Sequence, residues 1–427
     1  MNTVRLRHLA QINPLTPAFD RLADEDELTF IPMEAVWPGN RLDISRRRTK
    51  STVATGYTRF QNGDVLVPKI TPTFEAGRAV LIDGLLGGVG AGTTELHIVR
   101  PGPEIDPKYL LYTVNTHNFL KLGAAEMYGV AGQQRVPDDF LRDLPVRLPP
   151  LVEQRRIADF LDAETARIDA LVDATKSQQG LVIERRDVAF HESVREEDGP
   201  DLNTLDLNDP GPGWQILALN RVLRQLTNGY VGPTRDLFVD DGVPYLQSLH
   251  VKNGRIDFAR RPYFVPPEWA AARPRISLSH EDLLIVQTGG IGEVGIIDDN
   301  FVGASCHALL IARTRRDLLL PTYLWHAFRS HWGRHALLRE QTGALHPHLE
   351  AGNVRFMKLP VPSLDTQERI VARTEAVARD TQVIHTSLVR RLALQAERRQ
   401  ALITAAVTGQ FDVSTASGRN VTDGVPT

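Results

Sequence analysis

The strongest constraint on this 427-residue chain is that it repeats itself at half length. Leu144-Pro145-Val146-Arg147-Leu148-Pro149-Pro150-Leu151-Val152-Glu153-Gln154-Arg155-Arg156-Ile157 stands near the middle. Leu359-Pro360-Val361-Pro362-Ser363-Leu364-Asp365-Thr366-Gln367-Glu368-Arg369-Ile370 stands near the end. Pro149 and Pro362, Gln154 and Gln367, and Ile157 and Ile370 are each 213 positions apart. Gly63-Asp64-Val65-Leu66-Val67 likewise matches Glu281-Asp282-Leu283-Leu284-Ile285, and residues 77–83 match residues 292–298. Solenoid repeats run to only ~20–50 residues, so this period is too long for one. It implies a two-part module used twice: a globular domain, then a long helix.

The globular parts read as mixed α/β with irregular sheets. Residues 64–67, 79–82, 96–99, 283–286 and 308–311 are short apolar runs bounded by Gly, Pro or charge, which is the pattern of buried strands. Helical patterns cover 108–120 and 323–339. This places one domain at 1–150 and a second at 214–363, with an acidic Pro/Gly-rich linker at 196–213 and a polar tail at 412–427. The hydrophobic fraction of 42% gives each domain enough apolar residues for a core.

The helices are expected over 151–195 and 364–411. From Glu153 to Arg195 the only breaker is Gly180, and from Asp365 to Thr408 there is none. Ile157, Leu161, Glu164, Ile168, Leu171, Thr175, Gln178 and Val182 follow a 4-3 spacing, as do Ile370, Thr374, Val377, Thr381, Ile384 and Leu388, with Leu392 four later. These are imperfect heptads with polar seam positions. Asp365 with Glu368 reads as a capping box, and Pro149-Pro150 as a helix start. At ~1.5 Å per residue, each helix of about 43–45 residues is ~65 Å long. So narrow a seam needs a partner, and the other helix is the obvious one. The expected architecture is a pseudo-twofold repeat, its two domains separated by an antiparallel helix pair. The alternative is that each helix packs on its own domain.

The net charge of −3 argues mildly against a nucleic-acid partner until it is divided. Residues 1–150 are neutral, 151–213 carry −8, 214–363 carry +4 and 364–427 carry +1. The acidity thus sits in the first helix and linker. Arg46-Arg47-Arg48-Thr49-Lys50 is the densest basic cluster, and Arg255, Arg260 and Arg261 hold a comparable place before the second repeated strand. Arginine forks read guanine edges and clamp phosphates, although a solvated basic turn is the other reading. Lys69, after the first repeated strand, and Gln287 and Thr288, after the second, complete this set.

Catalytic motifs are missing. Gly290-Ile291-Gly292-Glu293-Val294-Gly295 matches a dinucleotide fingerprint, but a strand and turn follow where a helix start is required. There is no phosphate loop, no amino-methyltransferase Pro-Pro motif, no Glu-x-Lys nuclease pair and no nucleophile elbow. His346-Pro347-His348 lacks a third metal ligand, and Cys306, the single cysteine, reads as a buried hydrophobe and excludes a disulfide framework. No run approaches the ~18 apolar residues of a membrane span, and residues 1–7 lack a signal-peptide core, so a cytoplasmic protein is expected.

Two variable domains, each closed by Pro-x-x-x-x-Gln-x-x-Ile at 149–157 and 362–370 and followed by a long helix, resemble the specificity subunit of type I restriction-modification systems. Residues 63–66, 93–96, 280–284 and 402–410 add to the resemblance, which covers nearly the whole chain. It implies two target recognition domains, each reading one half of a split double-stranded DNA site. It also implies a helical spacer that sets the gap and docks two methyltransferase subunits, with motor-nuclease subunits completing the complex. A ~65 Å spacer is close to two DNA turns of ~34 Å. Catalysis would belong to the partners: S-adenosylmethionine, ATP and Mg would bind there, and none of them to this chain. The family's Gly- and Gln-containing segment matches Gly132-Gln133-Gln134-Arg135, whereas the second half has Gly343-Ala344-Leu345-His346-Pro347-His348. Gln133, Gln134, Arg135, His346 and His348 are therefore candidate DNA contacts, with a polar surface loop as the alternative. A coiled-coil scaffold or adaptor with the same fold and no DNA reading is the competing function.

Overall fold

The computed structural model describes residues 3–130, 133–204, 210–234, 236–343 and 347–414. The chain divides into two units, residues 1–176 with 389–427 and residues 177–388. Each takes part of both long helices, Leu151–Arg195 and Leu364–Thr408, which have 45 residues apiece.

In the first unit, the strands Ala10–Ile12, Leu96–Pro101, Val65–Pro68 and Val80–Leu81 lie side by side in that order, all antiparallel. A second sheet orders Arg47–Thr49, Glu27–Ile31, Val89–Gly92 and Thr58–Gln61, and its central pair is parallel. The second unit repeats the plan. Leu223–Asn228, Leu309–Thr314, Leu283–Val286 and Val294–Ile296 form one antiparallel sheet. Phe264–Val265, Val243–Leu246 and Ser305–Cys306 form the other in that order, the first pair antiparallel and the second parallel. Val65–Pro68 and Leu283–Val286 are buried at every residue, which is why both read as unbroken apolar runs.

Three buried polar anchors recur. The carboxylate of Asp64 takes a forked pair of bonds from Arg100 at 2.7 and 2.9 Å, and that of Asp282 takes the same from Arg313 at 2.9 Å. Each also accepts a backbone N–H three residues upstream, from Gln61 or Ser279. Gln154 and Gln367, both fully buried, clamp the helix starts. Gln154 accepts from the N–H of Asp106 and donates to the carbonyls of Glu104 and Pro149. Gln367 accepts from Leu320 and donates to Leu318 and Pro362. The motif glutamines are therefore structural clamps. The hydroxyls of Tyr109 and Tyr323 donate to the carbonyls of Arg147 and Pro360, closing each domain onto the strand before its helix.

The helical patterns at 108–120 and 323–339 are each broken in two. Pro107–Thr113 is followed by His117–Ala125, and Pro321–Arg329 by His331–Arg339. Thr116 and Ser330 cap the second member of each pair by accepting from the N–H three residues on. The second long helix is capped by Ser363, whose hydroxyl accepts from Thr366 N–H, rather than by Asp365.

Within each unit the helices pair antiparallel. In the first, Ile157, Leu161 and Ile168 share a core with Leu402, Ile403 and Ala406, and Gln395 reaches Thr175. In the second, Thr374 meets Ser193, Gln179 meets His385, and Arg369 and Arg373 pair with Glu197. The heptad reading overreaches midway: Leu171 is 53% exposed, Ile384 is 44% exposed and Gln178 is also exposed. The seam continues midway through the buried Thr175, Thr381 and Leu388, and its apolar contacts are densest at the helix ends that pack on the domains.

Candidate nucleic-acid interface

In the first unit the chain runs past Pro68 into Lys69 and Ile70, and residues 133–136 run back along that extension and pair with Tyr128. Tyr128 and Arg135 pair antiparallel and exchange backbone bonds of 2.9 and 3.1 Å. Arg135 also bridges Ile70, Thr71 N–H donates to Gln134 O, and Val136 N–H donates to Lys69 O at 2.9 Å. The result is a hairpin docked as an added strand. In the second unit Gln341–Thr342 pairs antiparallel with His348–Leu349, and Leu349 N–H donates to Gln287 O at 3.1 Å. Lys69 and Gln287 thus hold the same station.

Each hairpin is pinned at one further carbonyl. His97 Nε2–H donates to Val136 O at 2.9 Å, and the Gln287 amide donates to Leu349 O at 2.9 Å. Burial drops the His97 pKa to about 4, so at neutral pH its 3.2 Å approach to Asp138 is not an ion pair. The Asn13 amide lies against both, 3.3 Å from His97 Nδ1 and 2.8 Å from Asp138 Oδ2. Arg135 forks onto Glu95 at 2.7 and 2.8 Å. That guanidinium holds the Glu95 carboxyl below its ordinary range.

The structure brings Lys69, Gln133, Gln134 and Arg135 together, with Gln133 exposed and Arg135 engaged by Glu95. Gln287, beside exposed Thr288, docks the second hairpin at Leu349, the residue after His348. The Gln287 amide is spent on Leu349 and Asn228, and His348 approaches Glu350 at 3.1 Å. His346 lies outside the described residues. Arg46, Arg47 and Arg48 are exposed at the edge of the other sheet. There Arg46 pairs with Glu34, Arg47 donates to Thr29 and the Ile44 carbonyl, and Arg48 lies on Phe30. Lys50 donates to the Leu22 carbonyl and its side chain is only 16% exposed, so it has little reach. Arg255, Arg260 and Arg261 are exposed on and after the turn joining Val251–Lys252 to Arg255–Ile256.

Sequence reasoning missed the anchors Asn13 and His97, and it missed Tyr128 and Val130, which stand 63% and 79% exposed beside Gln133. An apolar residue that stays in water leaves no periodic signal to find. The glycine fingerprint is a tight turn between antiparallel strands, closed by Glu293 N–H on Gly290 O, and no helix follows it. Burial pushes the Cys306 thiol up to about 12, far from nucleophilic. Among the described residues, no helix is long and apolar enough to cross a membrane, and no group of three or more His, Cys, Asp or Glu could hold a metal ion.

By fold, this is a chain of two like domains, each closed by a long helix and carrying one docked hairpin. Residues 242–389 match the family model of the type I restriction modification DNA specificity domain. The chain is 44% identical over 156 residues to the type I restriction enzyme EcoAI specificity subunit of Escherichia coli, a match covering 36% of this chain and 26% of the relative. It thus spans about a quarter of the length of the curated relatives matched first. Two solved chains align over nearly their full lengths. One, from a structure of complex assembly and conformational transition in the type I restriction-modification system, gives a TM-score of 0.69 at 17% identity, covering 96% of this chain and 98% of that one. The other, the HsdS subunit of Thermoanaerobacter tengcongensis, gives 0.52 at 18% identity, covering 96% and 97%. Residues 242–389 are thus similar to the DNA specificity domain of type I restriction-modification systems, and the chain as a whole shares the fold of these two solved chains.

Proposed function

We propose that each globular domain reads one half of a bipartite double-stranded DNA target for a type I restriction-modification complex. One observation carries this reading: the same hairpin is docked on the same strand twice, by the same backbone bond, while the exposed side chains on it differ. A fixed frame with exchangeable side chains is what two different half-sites require. The chain itself is non-catalytic. S-adenosylmethionine, ATP and Mg act on its methyltransferase and motor-nuclease partners, in the cytoplasm. Exposed apolar residues along the long helices, among them Leu171, Leu181, Val383 and Leu394, support docking of the methyltransferase subunits there.

The test is methylome sequencing of cells carrying the chain with its partner methyltransferase. The expected result is one split motif with a fixed gap. A contiguous motif, or none, overturns the reading.

A further inference from the structure

Both units hold an arginine against a perpendicular pair of aromatic rings, built on the same sheet from different residues. In the first unit, Phe30 on the central strand and Tyr57 after the edge strand meet edge-to-face, with centroids 5.3 Å apart. The guanidinium of Arg48 lies 4.0 Å from the Phe30 centroid and 5.7 Å from that of Tyr57, and donates to the Tyr57 hydroxyl at 3.1 Å. In the second unit, Tyr245 on the central strand and Trp269 after the edge strand make the same contact at 5.8 Å, and Tyr230 adds a second at 5.1 Å. The guanidinium of Arg273 lies 4.2 Å from Trp269 and 5.7 Å from Tyr230, and donates to the Trp269 carbonyl at 2.9 Å.

The two arginines reach this position by different routes. Arg48 comes from the edge strand itself, and Arg273 from four residues beyond Trp269. Both place a guanidinium over one ring of a perpendicular pair, Phe30 on the central strand in the first unit and Trp269 after the edge strand in the second. Other arginines stack too, but Arg59 is neutralised by Asp20, Arg329 is largely buried, and Arg261 and Arg355 each lie more than 5 Å from a single ring, Tyr263 and Phe356. Arg46, Arg100, Arg135 and Arg313 are likewise held by carboxylates. Arg48 and Arg273 have no carboxylate partner among the described residues. Each spends part of its N–H fork on the bracket and keeps the rest. A planar fork already held in place loses little entropy on binding, and it matches the O6 and N7 acceptors of guanine.

Resting on the DNA-reading function proposed above, we infer that Arg48 and Arg273 are specificity-determining residues, each reading a guanine in its own half-site. The test uses the full chain in complex with its methyltransferase, and duplexes carrying the split motif found by methylome sequencing. Each guanine is replaced in turn by 7-deazaguanine, which lacks the N7 acceptor. For the wild-type complex, one such replacement per half-site is expected to weaken binding roughly 5- to 150-fold. Arg48→Ala abolishes that dependence in one half only, and Arg273→Ala in the other only. The methylome motif of each variant relaxes at the matching position. Arg48→Lys and Arg273→Lys, which keep the stem and charge, guard against misfolding and are expected to lose the N7 dependence in part. Equal loss on all duplexes without N7 dependence marks phosphate contacts and overturns the inference. So does a half-site without guanine, or relaxation of the same half by both variants. If the wild type yields no split motif, the proposed function fails first, which separates the two failures.

Discussion

The two docked hairpins share a frame and differ in almost everything fastened to it. Val136 on Lys69 and Leu349 on Gln287 are the same backbone bond in two units. The pins differ: a buried imidazole from a neighbouring strand in the first, and the side chain of the docking residue itself in the second. The exposed faces differ again, with Tyr128, Val130 and Gln133 on one side and His348 beside Glu350 on the other. The frame therefore depends on backbone geometry and buried anchors, both insensitive to what the hairpin presents. That separation lets two copies of one plan serve two targets.

The comparison breaks most visibly at the buried ion pairs. Asp64→Ala strands the Arg100 guanidinium, and Asp282→Ala strands that of Arg313. Removing one partner of a buried pair costs about 3–5 kcal/mol. Each change is expected to destabilise its own unit by that amount, and the two losses to be alike. Peptide-resolved hydrogen exchange across a denaturant series reads the units separately. Clearly unequal losses in the two variants, or a loss in only one of them, would show that the anchors are not equivalent.

The imidazole pin sharpens the comparison through pH. The folded first unit keeps His97 neutral down to about pH 4, whereas an unfolded chain protonates its histidines near the ordinary 6.5. Acid therefore favours the unfolded chain. The contribution is full above about pH 6.5, is lost as pH falls through the window, and levels off near 4. A gap of that size is worth about 3 kcal/mol. His97→Gln removes this titration, so its stability should fall less steeply with acid than that of the wild type. Parallel acid curves would refute the assignment. Burial also lowers the His326 pKa, to about 3, so the second unit keeps an acid response of its own in either variant.

Much of this frame was legible in the sequence. The repeated strands are buried on both faces and so read as unbroken apolar runs, and the repeated glutamines mark the helix starts because no other side chain of that size could both accept and donate there. The hairpins were legible only as a resemblance. Ile70 and Arg135 meet across 65 positions, and neither segment is periodic. Arg135 and Gln287 looked like readers because their types suit DNA. Glu95 and the Leu349 carbonyl, which occupy them, are distant in sequence. The helix breaks at Thr116 and Ser330 were missed because a single capping residue interrupts no apolar pattern. Heptad spacing persisted through Leu171 and Ile384 although both stay about half exposed, since periodicity reports a face and not its partner.

The smallest expected effect tests the pins themselves. Gln287→Ala removes the donor to Leu349 O but leaves the backbone bond from Leu349 N–H to Gln287 O. A carbonyl deprived of one partner beside a retained ladder bond costs about 1–2 kcal/mol. Opening of the second hairpin should rise roughly 5- to 30-fold, seen as faster exchange at the Leu349 amide with the core strand Leu283–Val286 unchanged. His97→Ala should do the same at the Val136 amide, with a larger response because a buried imidazole is replaced by a void. If Leu349 exchanges at the wild-type rate, the backbone bond alone holds the hairpin, and the side-chain pin is a consequence of docking and not its cause.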